Sequence, residues 1–154
     1  MVSPVMDGDT DQLGRAVREL ADRAEINDLV SHLGRWLDEK RFDDTRSVFT
    51  EDAIGEFPSG PIRGVEALTD QARRHHADFE RTQHITTNTL VDLAGDRATV
   101  RANLIATFVR HADTPEPEPT VGERYRFEAV RTEQGWRFCR VEVHPVWRST
   151  APNR

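Results

Sequence analysis

Two side chains in this sequence form a credible acid/base pair, Asp38 and His84. His84 closes the run Arg81-Thr82-Gln83-His84 at the start of a segment of strand-like composition. Asp38 follows Trp36-Leu37 near the end of a stretch with helical spacing. A carboxylate bonded to an imidazole fixes the tautomer of the ring and raises its basicity, giving a proton-transfer centre that needs no metal and no cofactor. The plainer alternatives are a strand histidine bound to a backbone carbonyl and a solvated aspartate beside Glu39 and Lys40.

The other polar candidates are weaker. On the last strand-like segment Trp136, Phe138, Arg140, Glu142 and His144 share one parity, and Arg137, Cys139, Val141 and Val143 the other. If the first set faces a cavity, Glu142 and His144 become a reserve acid/base pair and substrate contacts at its mouth, although a histidine before Pro145 at a strand end is commonly exposed. Arg126 is a candidate for binding a carboxylate or enolate, with a cross-strand ion pair to Glu128 or Glu142 as the simpler expectation. Trp36, Phe57, Phe108 and Trp147 are candidate aromatic walls for a ring-containing ligand, with core packing as the alternative. His75-His76 lacks the i, i+4 spacing of a helical metal site and is expected to be solvated, and His32 is expected on a helix surface.

The elements that must position these groups follow from periodicity. In residues 11–40, Leu13, Val17, Leu20, Ala24, Ile26, Val30, Leu33 and Leu37 recur at helical steps, predicting an amphipathic helix in one or two pieces. A short helix over 45–49, a strand over 52–57, a turn at 58–61 and a third helix over 65–77 follow. Residues 81–93 and 97–111 flank Gly95-Asp96 as a long hairpin, and 121–131 and 136–147 form another around Glu133-Gln134-Gly135. The alternating prolines of 113–120 lack ladder donors and predict a loop. Helices first and antiparallel strands after predict an α+β domain over 11–148, with flexible tails at 1–10 and 149–154.

With 154 residues, one domain with a real core and a small pocket is expected. A net charge of −6 argues against nucleic-acid binding, and all of the 21 basic residues except Lys40 are arginine, scattered along the chain. Cys139 is the single cysteine, so no internal disulfide forms, and no Cys/His spacing resembles a zinc site. The first residues lack the features of a secretory signal, and no segment approaches the ~20 apolar residues of a membrane span. A cytoplasmic protein with no membrane partner is the expectation.

Ordered stretches of the chain resemble the SnoaL-like group of the NTF2-like superfamily, and within it the scytalone-dehydratase-like branch. They are Trp36-Leu37-Asp38, Val48-Phe49-Thr50-Glu51-Asp52-Ala53, Gly64-Val65-Glu66-Ala67-Leu68, Arg81-Thr82-Gln83-His84, Gly95-Asp96-Arg97-Ala98, Gly122-Glu123-Arg124-Tyr125 and Arg131-Thr132-Glu133-Gln134-Gly135-Trp136-Arg137-Phe138. The resemblance spans about residues 20–148 and implies a cone-shaped, cystatin-like fold, a curved antiparallel sheet wrapped around N-terminal helices with an apolar pocket at the open end. In dehydratase-like members that pocket holds an Asp and two His. Asp38 and His84 match two of these positions, the third falls at Phe108, and polar positions on the next strand fall at Arg124 and Arg126. His111 replaces the missing imidazole only if a bulge shifts the register.

The expected function is that of a cofactor-free enzyme acting by proton transfer on a hydrophobic, carbonyl-bearing small molecule, as a dehydratase, isomerase or polyketide or terpenoid cyclase. The rival is a non-catalytic module that uses the same cone for ligand binding or its open sheet face for self-association. Residues Thr99, Arg101, Asn103, Ile105, Thr107 and Val109 share a mixed polar and apolar face suited to that contact, so a homo-oligomer, dimer or trimer, fits both readings. A small subunit of a ring-hydroxylating oxygenase, with a metal-bearing partner, shares the fold.

Overall fold

The computed structural model describes residues 5–149, with side chains from residue 8 onward. Helix α1 (Val5–Asp38) is one unbroken element of 34 residues. It takes in residues 5–10 of the expected tail, while the remainder of that tail, 1–4, and residues 150–154 lie outside the described residues. A 3-10 helix, Phe42–Ser47, leads into β1 (Phe49–Phe57) and β2 (Gly60–Arg63), a short hairpin where only a turn was expected. Helix α2 (Val65–His76) precedes four long strands, β3 (Arg81–Ala94), β4 (Arg97–Val109), β5 (Thr120–Thr132) and β6 (Gly135–Ser149).

The six strands form one sheet in the order β2-β1-β6-β5-β4-β3, with β1 and β6 parallel and every other neighbouring pair antiparallel. The sheet is curved and unclosed, and its concave face holds the helices, the cone of the NTF2-like fold. Curvature has local causes. In β3 the register shifts between Thr87 and Leu90, where Asn88 takes a left-handed φ of 56°, and β5/β6 carries two further shifts. Each extra residue bends its strand and strengthens the twist.

Apolar spacing explains the core only from the middle of α1 onward. Ile26, Leu29, Val30, Leu33, Trp36 and Leu37 are all buried, at three- and four-residue steps, against the sheet. Leu13, Val17 and Leu20 continue the pattern backwards but remain 66, 57 and 67% exposed, so the first half of the predicted amphipathic face is not covered by this chain. Between the two halves the helix is anchored by charge. Asp22 receives Arg131 through two bonds of 2.7 and 2.8 Å and the Trp136 indole N–H at 3.1 Å, and Glu25 accepts the Trp136 amide at 2.9 Å.

Beneath α1 the rings of Phe127 and Phe138 stack at 4.2 Å, both fully buried, with Trp136 beside them. On β4 the alternation is clean. Ala98, Val100, Ala102, Leu104, Ala106 and Phe108 are buried, while Arg101, Asn103 and Ile105 face out, as their parity predicts. Truncating a buried phenylalanine removes transfer energy and leaves a cavity. Phe127→Ala is therefore expected to lower the unfolding free energy by about 3–5 kcal/mol, read from urea denaturation. A loss under 1 kcal/mol would mean that the stacked pair is not central to the core.

Candidate active site

Asp38 is the last residue of α1, where the helix dipole disfavours a carboxylate. Three donors from β3 offset that cost: the Thr82 hydroxyl at 2.9 Å, the His84 amide at 3.0 Å and His84 Nδ1 at 2.6 Å. The spacing of Thr82 and His84 makes this possible, because residues two apart on a strand point to the same face and both reach one carboxylate. Burial alone would raise the Asp38 carboxyl. The hydrogen bonds from the His84 ring and amide, with the Thr82 hydroxyl, outweigh it and hold the group below its ordinary value of 3.8.

An ionised carboxylate only accepts, so Nδ1 of His84 carries a proton and the neutral form of the ring has its basic nitrogen at Nε2. The His84 side chain is 5% exposed and Asp38 25%. His84 borders a cavity of about 420 Å³ whose walls include Leu33, Trp36, Phe49, Phe57, Leu68 and Phe108. Pro119 reaches its rim because the proline-rich loop folds back on β4, with Phe108 N–H donating to Pro119 O at 3.1 Å and Glu118 N–H to Phe108 O at 2.7 Å.

Of the residues anticipated around the pocket, Trp36, Phe57 and Phe108 line the cavity together with His84, and Asp38 stands behind the imidazole. Arg124, Arg126, Glu142, His144 and Trp147 do not line it. Tyr125 and Phe127 are buried on the inner face of β5, so Arg124 and Arg126 point outward. On β6 the pairs Ala129↔Phe138 and Glu128↔Arg140 leave Cys139 as an extra residue, which moves the inner face from Trp136 and Phe138 to Val141 and Val143. Glu142 and His144 therefore lie outside the cavity, where Glu142 joins Arg126 at 3.1 Å, Arg140 at 3.2 Å and His144 at 3.2 Å. A second shift leaves Val146 unpaired, so that Arg148 turns to the cavity and Trp147 covers Gly122 on the outer face, 47% exposed.

His111 does not replace the second imidazole. It lies beyond the end of β4 and bridges to Thr114, and Phe108 keeps its place, edge-on to His84 at 5.8 Å between ring centroids. The imidazoles near His84 come instead from the end of α2, where His75 is exposed, as expected, and His76 is not. His75 sits at the cavity rim with burial lowering its pKa, and His76 is 3% exposed with burial pushing its pKa down to about 4. Glu123 and Tyr125 also line the cavity, and burial raises the pKa of both. Their signal was in the alternation Val121, Glu123, Tyr125, Phe127, whose parity is apolar at three of its four positions. Among the described residues no group of three or more His, Cys, Asp or Glu side chains is placed to hold a metal ion, and no helix is long and apolar enough to cross a membrane.

Comparison with known proteins follows this geometry. The SnoaL-like domain family matches residues 18–142. An uncharacterized protein of Mycobacterium tuberculosis, Rv2910c, is 29% identical over 129 residues, covering 81% of this chain and 86% of that protein. The crystal structure of Kfla4162 from Kribbella flavida superposes with a TM-score of 0.79 at 28% identity, over 85% of this chain and 95% of the other. A putative scytalone dehydratase from Novosphingobium aromaticivorans gives 0.78 at 20% identity, over 88% and 91%.

Two site groups couple folding to pH. Asp38 binds its proton less readily folded than unfolded, so its contribution is complete above pH 3.8 and is lost as pH falls through the lower folded value. His76 protonates near pH 4 when folded and near 6.5 when unfolded, so between those values the unfolded chain holds the extra proton and stability falls as pH falls. His76→Phe is expected to flatten the pH dependence of the unfolding free energy between pH 6.5 and 4, leaving the more acidic limb. An unchanged slope would mean that the His76 ring is solvated.

Proposed function

Since the chain belongs to the SnoaL-like family of the NTF2-like superfamily, we propose that it is an enzyme that moves a proton on a hydrophobic, carbonyl-bearing small molecule, with His84 as the acid/base and Asp38 as the group that orients it. One observation carries the reading: the 2.6 Å bond between His84 Nδ1 and Asp38, made at the wall of a largely apolar cavity. His84 Nε2 takes a proton from the carbon next to the carbonyl, or returns one to a departing hydroxyl. The ionised Asp38 stabilises the imidazolium that forms. Dehydration, isomerisation and aldol-type cyclisation share that step, and the residues of the pair serve each of them. A likeness to a putative scytalone dehydratase supports the dehydration branch, and the lone cysteine is consistent with work in the cytoplasm.

The reading includes self-association through the outer face of β3 and β4. Ile85 and Ile105 pair across the two strands and are 46 and 43% exposed. Such a contact leaves the cavity intact and suits the non-catalytic alternative equally. Ile105→Glu is expected to reduce the sedimenting mass to that of one chain, and a mass equal to wild type would remove this face from the account.

The chemical test uses a cyclic ketone, 2-tetralone, and follows exchange of its α-protons in D2O by NMR. Loss of a positioned general base typically costs about 10²- to 10⁴-fold. His84→Ala is expected to fall by that factor while its circular dichroism matches wild type. Wild-type exchange no faster than buffer, or exchange that survives in a folded His84→Ala, would overturn the proposal.

A further inference from the structure

His76 has a role in the cavity that proton transfer at His84 does not use. Its Nδ1 lies 2.8 Å from the carbonyl oxygen of Ala72, one turn back along α2. A carbonyl only accepts, so Nδ1 holds the ring proton and Nε2 presents a lone pair. Nε2 is buried without a hydrogen-bond partner, the one such side-chain atom among the described residues. Leaving a buried acceptor unmatched is costly, and a donor that meets it is rewarded accordingly.

No protein group donates to that nitrogen in this arrangement, the nearest ring, His75, included. The neighbouring rings are His75 at 5.2 Å, His84 at 5.6 Å, Phe108 at 5.8 Å and Phe42 at 6.1 Å between centroids. The phenylalanines have none to give. His84 spends its Nδ1 proton on Asp38, so its Nε2 is an acceptor as well. Two imidazoles that each present a lone pair cannot satisfy one another. The low basicity of His76 keeps it in the neutral accepting form at neutral pH, with burial as the main cause. Its ring lines the same cavity, and because Nε2 itself is closed off, a donor on a bound molecule reaches it by displacing a neighbouring side chain.

We propose that His76 determines specificity in this cavity by accepting, at Nε2, a hydrogen bond from a hydroxyl group of the bound molecule. The ligand class is then a hydroxylated apolar ring or chain, because an O–H brings a donor into the apolar cavity with little volume and no charge. The inference rests on the cavity being the ligand site, as in the function proposed above, and does not depend on proton transfer by His84.

Equilibrium binding separates the two. 2-Naphthol and 2-methylnaphthalene have nearly the same shape, and only the first carries an O–H. Calorimetric titration of wild-type protein is expected to give about 10-fold tighter binding of 2-naphthol, the factor for one buried hydrogen bond of ordinary strength. His76→Phe is expected to bring the two affinities together, and His76→Gln to restore part of the preference through its amide oxygen. In wild-type protein labelled with ¹⁵N-histidine, the Nε2 resonance of His76 should start at the position of an unprotonated nitrogen and move upfield on saturation with 2-naphthol. Equal affinities in wild type, no binding of either probe, a preference that survives in His76→Phe, or an Nε2 resonance that does not respond would each overturn the inference. If ketone exchange fails while the His76-dependent preference is present, the proton-transfer reading falls and this one stands.

Discussion

The grip of β3 on the end of α1 is the constraint on which the site depends. Asp38 sits where its own helix disfavours a negative charge, and three donors from two residues of a single strand hold it there. The same bonds fix the angle at which the helix meets the sheet, the ionisation of the carboxylate and the tautomer of His84. Gly34, one turn earlier, packs beside the same strand, where an added Cβ would meet His84 O at an ordinary contact distance of 3.6 Å. Near the middle of α1 the Arg131, Asp22 and Trp136 cluster ties it to the β5–β6 hairpin, so the helix is held at two points along the sheet.

The curvature that opens the cavity also decides which side chains enter it. Period-two alternation is legible in the sequence of β4, where the residues alternating with the odd-numbered face are all buried, and in Thr82 and His84 on β3. The same reasoning failed on β6 because parity holds only while the register is unbroken. The extra residues Cys139 and Val146 each exchange the two faces, removing Glu142, His144 and Trp147 from the cavity and bringing in Val143 and Arg148. Nothing in the local composition marks those bulges, which bend β6 where it pairs with β5. On β5 no bulge intervenes between Glu123 and Phe127, and the error of placing Arg124 and Arg126 inward came from resemblance alone. The apolar parity of the strand itself pointed to Glu123 and Tyr125.

Helix α2 shows the reverse case. His75 and His76 look like a solvated helix end because adjacent residues on a helix face different directions and only one of them can be deeply buried. His76 is that one, and its burial follows from the spacing of Val65, Leu68, Ala72 and His76, a continuous inward stripe at three- and four-residue steps. The cavity therefore takes imidazoles from two different elements, one oriented by its contact with Asp38 so that Nε2 faces away from the carboxylate and one kept in an accepting form by its own helix. A half-buried carboxyl at Glu123 and the Tyr125 hydroxyl complete a polar set within mostly apolar walls, an arrangement that orients a small molecule rather than merely enclosing it.

Every chemical step in this account begins from one protonation state of His84, with the proton on Nδ1 towards Asp38 and the lone pair on Nε2. Neutron diffraction from deuterium-exchanged crystals at neutral pH observes it directly. The account predicts deuterium on Nδ1 within the bond to Asp38 and none on Nε2. Deuterium on Nε2, whether the ring is neutral or doubly protonated, would contradict it, because the resting site would then hold no base facing the cavity.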